Sequence, residues 1–248
     1  MRINKLSDFF VDSSDYQLAT SCGVSYLPYV GDSYEKAPRR IMILDDGYYD
    51  LDYEFESGMS VYQDKIIDGS LQREDKESFS PFFSRHLIDA YIHCNSHSML
   101  YYRGVGLNKF NNITRIFCDE KNINEEIKEK VWRNLCYYQF VQTILTGTEI
   151  MPSKQDYDLS EEPFFNVLTT YRPNLVLVCG EKLYNRLPKF DRYGWNHRDM
   201  ILSNCRKTDA TRIFYYENFF SKMILITSPL SLQFNSRRWK KFINDINL

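Results

Sequence analysis

The stretch IMILDDGYYD, residues 41–50, decides how the rest of the chain is interpreted. Its first four residues form an apolar run without alternation, which is typical of a strand covered on both faces in a parallel sheet. Two adjacent carboxylates, Asp45 and Asp46, follow at once, and Gly47 then allows a tight turn. Ligands of open α/β sheets lie outside the carboxyl ends of the strands. We therefore predict that the carboxylates do chemistry, with an exposed turn or a helix cap as the alternatives.

Two further apolar runs share the character of the first, LVLVC at 175–179 and MILIT at 223–227. Helical patterns separate the three runs or follow them, at residues 80–100, 123–145, 160–173 and 236–246. This alternation of strands and helices predicts one domain over residues 1–248. The expected architecture is a three-layer α/β/α sandwich around a central, largely parallel sheet.

Details of the helical segments leave one alternative open. Asn124 and Ser160 are expected to cap the second and third helices. The end of the second segment, CYYQFVQ, fits a helix or an extended strand. Residues 50–79 are polar and poorly periodic, and a stretch of this length indicates a functional lid or an insertion.

The cysteine pattern, the apolar runs and the net charge limit which compartment and which class of partner we expect. The six cysteines form no C-x-x-C pair, so reduced thiols in the cytoplasm are the expectation. The amino terminus has no apolar stretch of signal-peptide length, and no apolar run reaches about 18 residues, the length that indicates a membrane span. A formal net charge of −2 neither supports nor excludes DNA, because acidic residues elsewhere can mask a basic patch. We expect a monomer without a membrane partner.

Four segments together resemble the uracil-DNA glycosylase superfamily. In chain order they are YLPYVGDSYEKAPRRIMILDDGYYD, VWRNLCYYQFVQ, EEPFFNVLTTYRPNLVLVCGEKLYNRLP and ILITSPLSLQF. The resemblance covers residues 24–240 and lies in the order and spacing of the segments. It implies DNA as the partner and hydrolysis of the N-glycosidic bond of a base that is turned out of the duplex. We expect no cofactor.

The first loop of the resemblance implies the catalytic carboxylate. Asp45 stands where the family has Gly, and Asp46 stands where it has Gln or Glu, so Asp46 is the first catalytic candidate and Asp45 the second. A shift of one residue in this loop would exchange them. Gly47 stands where the family has Asp, Ala or Ser, and the resemblance places it at the base. Tyr48 and Tyr49 either stack on the base or pack against the 50–79 stretch.

Two later segments imply how the base is read and released. Gln139 stands where many members have Asn, and its carboxamide can pair with an amide-like base edge. Ser228 stands where the family has a catalytic histidine, and a serine is a weaker donor to the departing base. This exchange favours a base other than uracil, or lost catalysis. Ser231 and Gln233, in the same loop, are expected at the DNA.

A basic helix start follows that loop and favours a DNA phosphate, because backbone N–H groups and cations cooperate there. The alternative is a solvated helix face. Trp239 is expected to pack inward. The cationic segment comprises Ser236, Arg237, Arg238, Lys240 and Lys241.

His93 and His97 have the i, i+4 spacing of a helical metal pair, with Cys94 beside the first. A metal site needs further ligands at recognisable spacing, which the sequence does not show. The scattered cysteines also lack the clustering that an iron–sulfur centre needs. We therefore predict no metal.

The sequence thus predicts a DNA glycosylase that acts on a modified, non-uracil base. Modified pyrimidines of the kind that phages place in their genomes would make it an antiviral enzyme. Two alternatives stay open. One is a catalytically inactive glycosylase-like module that binds nucleic acid or protein, and the other is a small-molecule nucleoside hydrolase.

Overall fold

A computed structural model of the chain divides it into two compact units. The helical unit comprises Met1–Tyr29, Asp46–Arg85 and Tyr138–Tyr171, and the sheet unit comprises Val30–Asp45, His86–Tyr137 and Arg172–Leu248. The structure describes residues 13–47, 49–50, 82–93, 105–120, 122–143, 145–146, 151–189, 191, 193–200, 211–216, 219–226 and 229–245.

Nine strands run through the described residues, and seven of them form one sheet. Their bounds are β1 Tyr29–Val30, β2 Ile41–Asp45, β3 Tyr49–Asp50, β4 Leu135–Gln139, β5 Leu145–Thr146, β6 Leu175–Cys179, β7 Asn196–Met200, β8 Thr211–Tyr216 and β9 Phe219–Ile226. The seven-stranded sheet has the order β1-β4-β2-β6-β9-β8-β7. It belongs to the sheet unit except for Tyr29 and the last two residues of β4. In the helical unit, β3 and β5 form a separate parallel pair.

The centre of the large sheet is parallel. Ile43 of β2 aligns with Leu177 of β6, and Leu177 aligns with Ile224 of β9. All three side chains are fully buried, as continuous apolar runs require in a strand that is covered on both faces. The three predicted strands are therefore confirmed as parallel neighbours, and the chain has a mixed α/β fold.

One edge of the sheet departs from the predicted parallel arrangement. β8 pairs antiparallel with β9, and β7 pairs antiparallel with β8. Their sequences, TRIFYY and NHRDM, mix charged and apolar residues. A sheet edge of this kind does not carry the continuous apolar signal of the centre.

Eight α-helices lie in the described residues, and none of them is long and apolar enough to cross a membrane. Their bounds are α1 Ser13–Ser21, α2 Phe83–His93, α3 Val105–Phe117, α4 Glu125–Trp132, α5 Lys154–Leu159, α6 Glu161–Tyr171, α7 Glu181–Arg186 and α8 Ser236–Asp245. A short 3₁₀ turn covers Tyr34–Lys36. The predicted excursion at 50–79 lies outside the described residues apart from Asp50, which ends β3.

The second predicted helical segment contains both of the structures that its sequence allowed. The Asn124 side chain accepts a hydrogen bond from the Ile127 N–H at 3.0 Å, which confirms it as the cap of α4. The helix ends at Trp132, and CYYQF continues as β4 and the residue after it, so the extended alternative is correct there. The hydroxyl of Ser160, the other predicted cap, donates to the Asp156 carbonyl at 2.6 Å and accepts from the Gln142 N–H at 3.1 Å.

Aromatic side chains fill the core of the sheet unit. Tyr91, Phe110, Trp132 and Tyr137 pack at ring-centroid distances of 5.3 to 6.3 Å, mostly edge to face. The Thr114 hydroxyl accepts from the Trp132 indole N–H at 2.9 Å. Burial raises the pKa of Tyr91, so its hydroxyl stays neutral. A neutral aromatic core of this kind fixes β4 against α3 and α4.

Candidate active site

Asp46 follows β2 directly and belongs to the helical unit, where two contacts hold it. Its Oδ1 accepts a hydrogen bond from the Tyr157 hydroxyl at 2.7 Å, and its backbone carbonyl accepts from the Val141 N–H at 2.7 Å. Tyr157 is only 2% exposed, whereas Asp46 itself is half-buried. The carboxylate of this half-buried residue is therefore oriented by a buried donor.

Gln139 ends β4 and also belongs to the helical unit. Its Oε1 accepts from the Ser84 hydroxyl at 3.1 Å, and its backbone carbonyl accepts from the Gln142 side-chain amide at 2.5 Å. Gln139 is 2% exposed and Ser84 is fully buried. Both the backbone and the side chain of Gln139 are thus fixed in place.

Gln142 connects this part of the helical unit to two other segments. Its Oε1 accepts from the Tyr26 N–H at 2.8 Å, and its own N–H donates to the Ser160 hydroxyl at 3.1 Å. Together with its bond to Gln139, these contacts use both ends of the buried carboxamide. The segment after β4 is consequently anchored by a side chain as well as by its backbone.

The structure brings Asp46 and Gln139 into one neighbourhood of the helical unit. Val141, which binds the Asp46 carbonyl, lies only two residues after Gln139. A carboxylate in such a place can orient water or stabilise positive charge on a sugar ring. A carboxamide can hydrogen-bond to the polar edge of a base. We call Asp46 and Gln139, with their partners Tyr157 and Ser84, the candidate site.

Asp45 has a different environment, in the sheet unit. It is 5% exposed, and its Oδ2 accepts from the Lys109 ammonium at 2.5 Å and from the Tyr137 hydroxyl at 2.9 Å. Burial raises the pKa of the nearby Cys179 thiol, the Asp45 charge raises it further, and Lys109 opposes both. Cys179 is therefore a neutral thiol. Asp45 serves in a buried ion pair, which favours the register in which Asp46 is the catalytic candidate.

Several predicted residues of the two loops lie outside the described residues. Tyr48 and Ser228 are among them, and so is the side chain of Tyr49, whose backbone pairs with Leu145 in the small sheet. Gly47 is described and half-buried. Their predicted roles at the base stay predictions.

The loop before α8 is held by a buried asparagine of α3. The Asn112 side-chain amide donates to the Pro229 carbonyl at 2.9 Å and to the Ser231 carbonyl at 3.0 Å. The Ser231 hydroxyl accepts from the Gln233 N–H at 3.1 Å, so it stabilises the turn itself. Gln233 is exposed. This anchoring leaves two leucines of the loop in solvent, with Leu230 44% and Leu232 89% exposed.

The predicted cations of α8 fall into two groups. Arg237 and Lys241 are exposed. Lys240 pairs with Asp119 at 2.5 Å, and the Arg238 guanidinium lies 5.2 Å from the centre of the Trp239 ring. Trp239 is 3% exposed, which confirms its predicted inward packing.

The first turn of α8 has a regular cap. The Asn235 side chain accepts from the Arg238 N–H at 2.9 Å. Ser236 begins the helix and is half-buried. Because Lys240 and Arg238 already have partners, Arg237 and Lys241 are the cations of this helix that are best placed to meet a phosphate.

His93 takes part in a cluster that the sequence did not indicate. Its Nδ1 lies 2.9 Å from Glu125 Oε1 and 3.8 Å from Glu129 Oε1, and all three side chains are 55% exposed. Three such groups can hold a metal ion, but exposed ion pairs of this kind are also common on their own. His97 and Cys94, the partners that the spacing indicated, lie outside the described residues.

A cavity of about 540 Å³ lies at the amino end of β2 in the sheet unit. Ile41 and Leu135, the first residues of β2 and β4, line it together with Lys130 and Asp119. Asp45 is at the other end of β2. The cavity is therefore separate from the carboxyl ends of the strands, where ligands of such sheets normally bind.

Four residues that position these groups were not found by sequence reasoning, namely Ser84, Lys109, Asn112 and Tyr157. Each acts on a partner that is distant in sequence; Tyr157 is 111 positions from Asp46 and Ser84 is 55 from Gln139. No local pattern encodes a contact over such a separation. The sequence identified only the strand ends near which the partners of these residues lie.

A scan against protein-family models and a search of curated proteins find no match to this chain.

Proposed function

We propose that the protein is a DNA glycosylase with a uracil-DNA glycosylase-like three-layer fold over residues 1–248. It hydrolyses the N-glycosidic bond of a flipped-out, modified base other than uracil. The observation that carries this proposal is the pairing of an oriented carboxylate, Asp46, with a buried carboxamide, Gln139. The strands that lead to them, β2 and β4, are neighbours in the sheet.

Asp46 supplies the central chemical group. As the bond breaks, the sugar becomes oxocarbenium-like, and a carboxylate can stabilise this charge or orient the attacking water. The Tyr157 hydroxyl fixes Oδ1 and therefore the direction of the carboxylate. Turning the base out of the duplex costs a few kcal/mol, which contacts within the site must offset.

We assign the release of the base, and stacking on it, to residues of the two loops. Ser228 would donate to the base as it leaves, and Tyr48 or Tyr49 would stack on it. A hydroxyl in the place of the family's histidine supports a substrate other than uracil. We propose modified pyrimidines of phage DNA as that substrate, with the cytoplasm as the place of action.

The loop at 229–235 and α8 form the proposed DNA surface. Arg237 and Lys241 would contact phosphates, while Ser231 and Gln233 approach the backbone near the helix start. Apolar side chains can enter between base steps and unstack them. Leu232, at 89% exposure, and Leu230, at 44%, are suited to this role.

A second candidate is a catalytically inactive module of the same fold that binds nucleic acid or protein. The observation that favours it is the ion pair of Asp45 and Lys109, which occupies a position where the resembling family has glycine. Several motif positions changed at once, as loss of catalysis would allow. DNA affinity without turnover is the behaviour expected of this candidate.

The deciding experiment measures base release from matched oligonucleotides. They carry uracil, oxidised or alkylated bases, and hydroxymethylated or glucosylated pyrimidines. We expect abasic sites with at least one modified base, and none when Asp46→Asn replaces the wild type at equal DNA affinity. No release from any substrate, with DNA binding that weakens steeply with salt, would instead support the inactive module.

A further inference from the structure

We propose that His93, Glu125 and Glu129 form a zinc site that joins the end of α2 to α4 within the sheet unit. The proposal goes beyond the proposed function, since it does not depend on base release. His93 is the last residue of α2, and the two glutamates lie four positions apart on α4. One helix thus supplies an imidazole and the other supplies two carboxylates.

The donor atoms of the three side chains converge. His93 Nδ1 lies 2.9 Å from Glu125 Oε1 and 3.8 Å from Glu129 Oε1, and one donor atom of each residue lies within 4.8 Å of the other two. Zinc binds imidazole nitrogen and carboxylate oxygen at about 2.0–2.2 Å, so two of its ligand atoms are about 3.0–3.4 Å apart at angles of about 90–109°. The two distances from Nδ1 bracket this separation. Small side-chain rotations therefore suffice for one ion to contact all three donors.

A buried lysine between the two glutamates fixes the helices against each other at this point. Lys128 is 9% exposed, its Nζ donates to the Tyr91 carbonyl at 2.7 Å, and Nζ lies 4.5 Å from the centre of the Tyr91 ring. Tyr91 is in the last turn of α2, two residues before His93. The backbones that carry the imidazole and the carboxylates are thus held together by a contact outside the cluster. Such preorganisation lowers the cost of ordering the ligands when an ion binds.

The charges of the cluster favour a divalent cation. Glu125 and Glu129 are one helical turn apart, so their carboxylates repel each other on the surface of α4. One imidazole carries at most a single positive charge, which leaves the three groups with a net negative charge. A divalent ion balances both carboxylates while His93 binds as a neutral ligand. Each of the three side chains is 55% exposed, so an ion reaches them from solvent and retains water as a further ligand.

The donor set selects the class of metal. One nitrogen and two oxygens suit zinc, whereas magnesium and calcium prefer ligand sets made of oxygen alone. Three protein ligands with water in the remaining position is a coordination that zinc adopts in proteins. An ion that binds only the folded chain also stabilises it, more strongly as the zinc concentration rises above the dissociation constant. We therefore expect zinc, and not an equal concentration of magnesium, to raise the thermal midpoint of unfolding.

The test titrates zinc chloride, and separately magnesium chloride, into the full chain by isothermal titration calorimetry after metal has been removed with a chelator. Three variants each remove one ligand, namely His93→Gln, Glu125→Gln and Glu129→Gln. Two matched controls, His86→Gln and Glu126→Gln, change an exposed histidine of α2 and an exposed glutamate of α4 that lie outside the cluster. Circular dichroism verifies that each variant folds, and Glu129→His replaces one zinc ligand by another.

We expect one zinc ion per chain to bind this site, with an affinity at least about tenfold weaker in each ligand variant. Loss of an indirect partner of a metal ligand already costs about 10–100-fold, so loss of a ligand itself should cost no less. The two controls and Glu129→His should retain zinc binding and the rise in thermal midpoint. The absence of zinc binding, an unchanged affinity in any of the three ligand variants, an equal loss in the controls, or equal affinity for magnesium would overturn the proposal.

Discussion

Asp45 and Asp46 are neighbours in the chain, yet their carboxylates meet different groups. Asp45 accepts from the Lys109 ammonium and the Tyr137 hydroxyl, and Asp46 accepts from the Tyr157 hydroxyl. Successive residues of an extended chain point in different directions, so adjacent carboxylates need not share a site. Their sequence position at a strand end could be predicted. Their separate partners could not, because those lie up to 111 positions away.

The two aspartates should respond differently to the same substitution. Asp45→Asn should lower the free energy of unfolding by about 3 kcal/mol, because it leaves the Lys109 ammonium partly buried without its carboxylate. Asp46→Asn should leave stability within about 0.5 kcal/mol and abolish base release. Urea denaturation and the base-release assay measure both effects.

A double substitution controls for the ion pair. Lys109→Met in the Asp45→Asn background should recover part of the lost stability, because the uncompensated charge is removed. If Asp46→Asn proved the destabilising change and Asp45→Asn the inactivating one, the register of the first loop would be wrong by one residue.

At the scale of elements, continuous apolar runs were a sufficient signal for the three central strands. β4 mixes Cys, Tyr and Gln, so its sequence fitted a helix or a strand until its contacts were known. The short β1 and the polar β7 carry no periodic pattern. Elements of that kind are determined by their neighbours in the sheet.

Gly31 illustrates a constraint that only the contacts of an element reveal. It follows β1, its N–H donates to the Leu135 carbonyl at 3.0 Å, and a Cβ added to it would overlap the backbone of Trp132 and Arg133. We expect Gly31→Ala to lower the free energy of unfolding by about 1–3 kcal/mol, since backbone atoms cannot move aside easily. Urea denaturation should also show a larger loss for Gly31→Val, and equal stability of all three proteins would contradict the steric explanation.

The start of α5 depends on a capping box. The Ser153 hydroxyl accepts from the Asp156 N–H at 3.2 Å, and the Ser153 N–H donates to Asp156 Oδ2 at 2.7 Å. These contacts, led by the Ser153 hydroxyl, lower the pKa of Asp156. Ser153→Ala should cost about 1 kcal/mol at pH 7.

The loss from Ser153→Ala should depend on pH. A carboxyl group whose pKa is lower in the folded state stabilises the fold at pH values above its unfolded-state pKa. That stabilisation is lost as the pH falls through the folded-state pKa, which for Asp156 lies below 3.8. The difference between Ser153→Ala and wild type should therefore narrow towards acid pH in urea titrations. Asp158→Asn, which alters only an exposed 3.8 Å pair with Lys154, serves as the control. If the difference in unfolding free energy between Ser153→Ala and wild type stayed constant with pH, the Asp156 carboxylate would not be the source of the stabilisation.

At the scale of the whole molecule, each unit is assembled from three separate stretches of the chain. No composition shift or linker marks such a division, and the single domain over residues 1–248 stays a prediction. The order of strand and helix patterns was predictable because it is local. The grouping of segments was not, because it depends on contacts between residues far apart in sequence.

Thiol reactivity should report the opening of the sheet unit. Cys179 is buried with a raised pKa, whereas Cys118 is half-buried. We expect iodoacetamide to label Cys118 in the native protein and Cys179 only as denaturant unfolds the unit. In the native protein, raising the pH to 9 should still leave Cys179 unlabelled. Mass spectrometry of the labelled peptides measures both rates, and equal rates in the native state would contradict the buried position of Cys179.

Gln142 has a consequence for how this gene can vary. Its side chain behaves as an additional peptide group, accepting from one segment and donating to another. A glutamine codon becomes a glutamate or a lysine codon by one change at its first base. Glutamate would place oxygen against the Gln139 carbonyl, and lysine would offer no acceptor to Tyr26. Both of these single-nucleotide changes should therefore destabilise the protein, and selection should remove them.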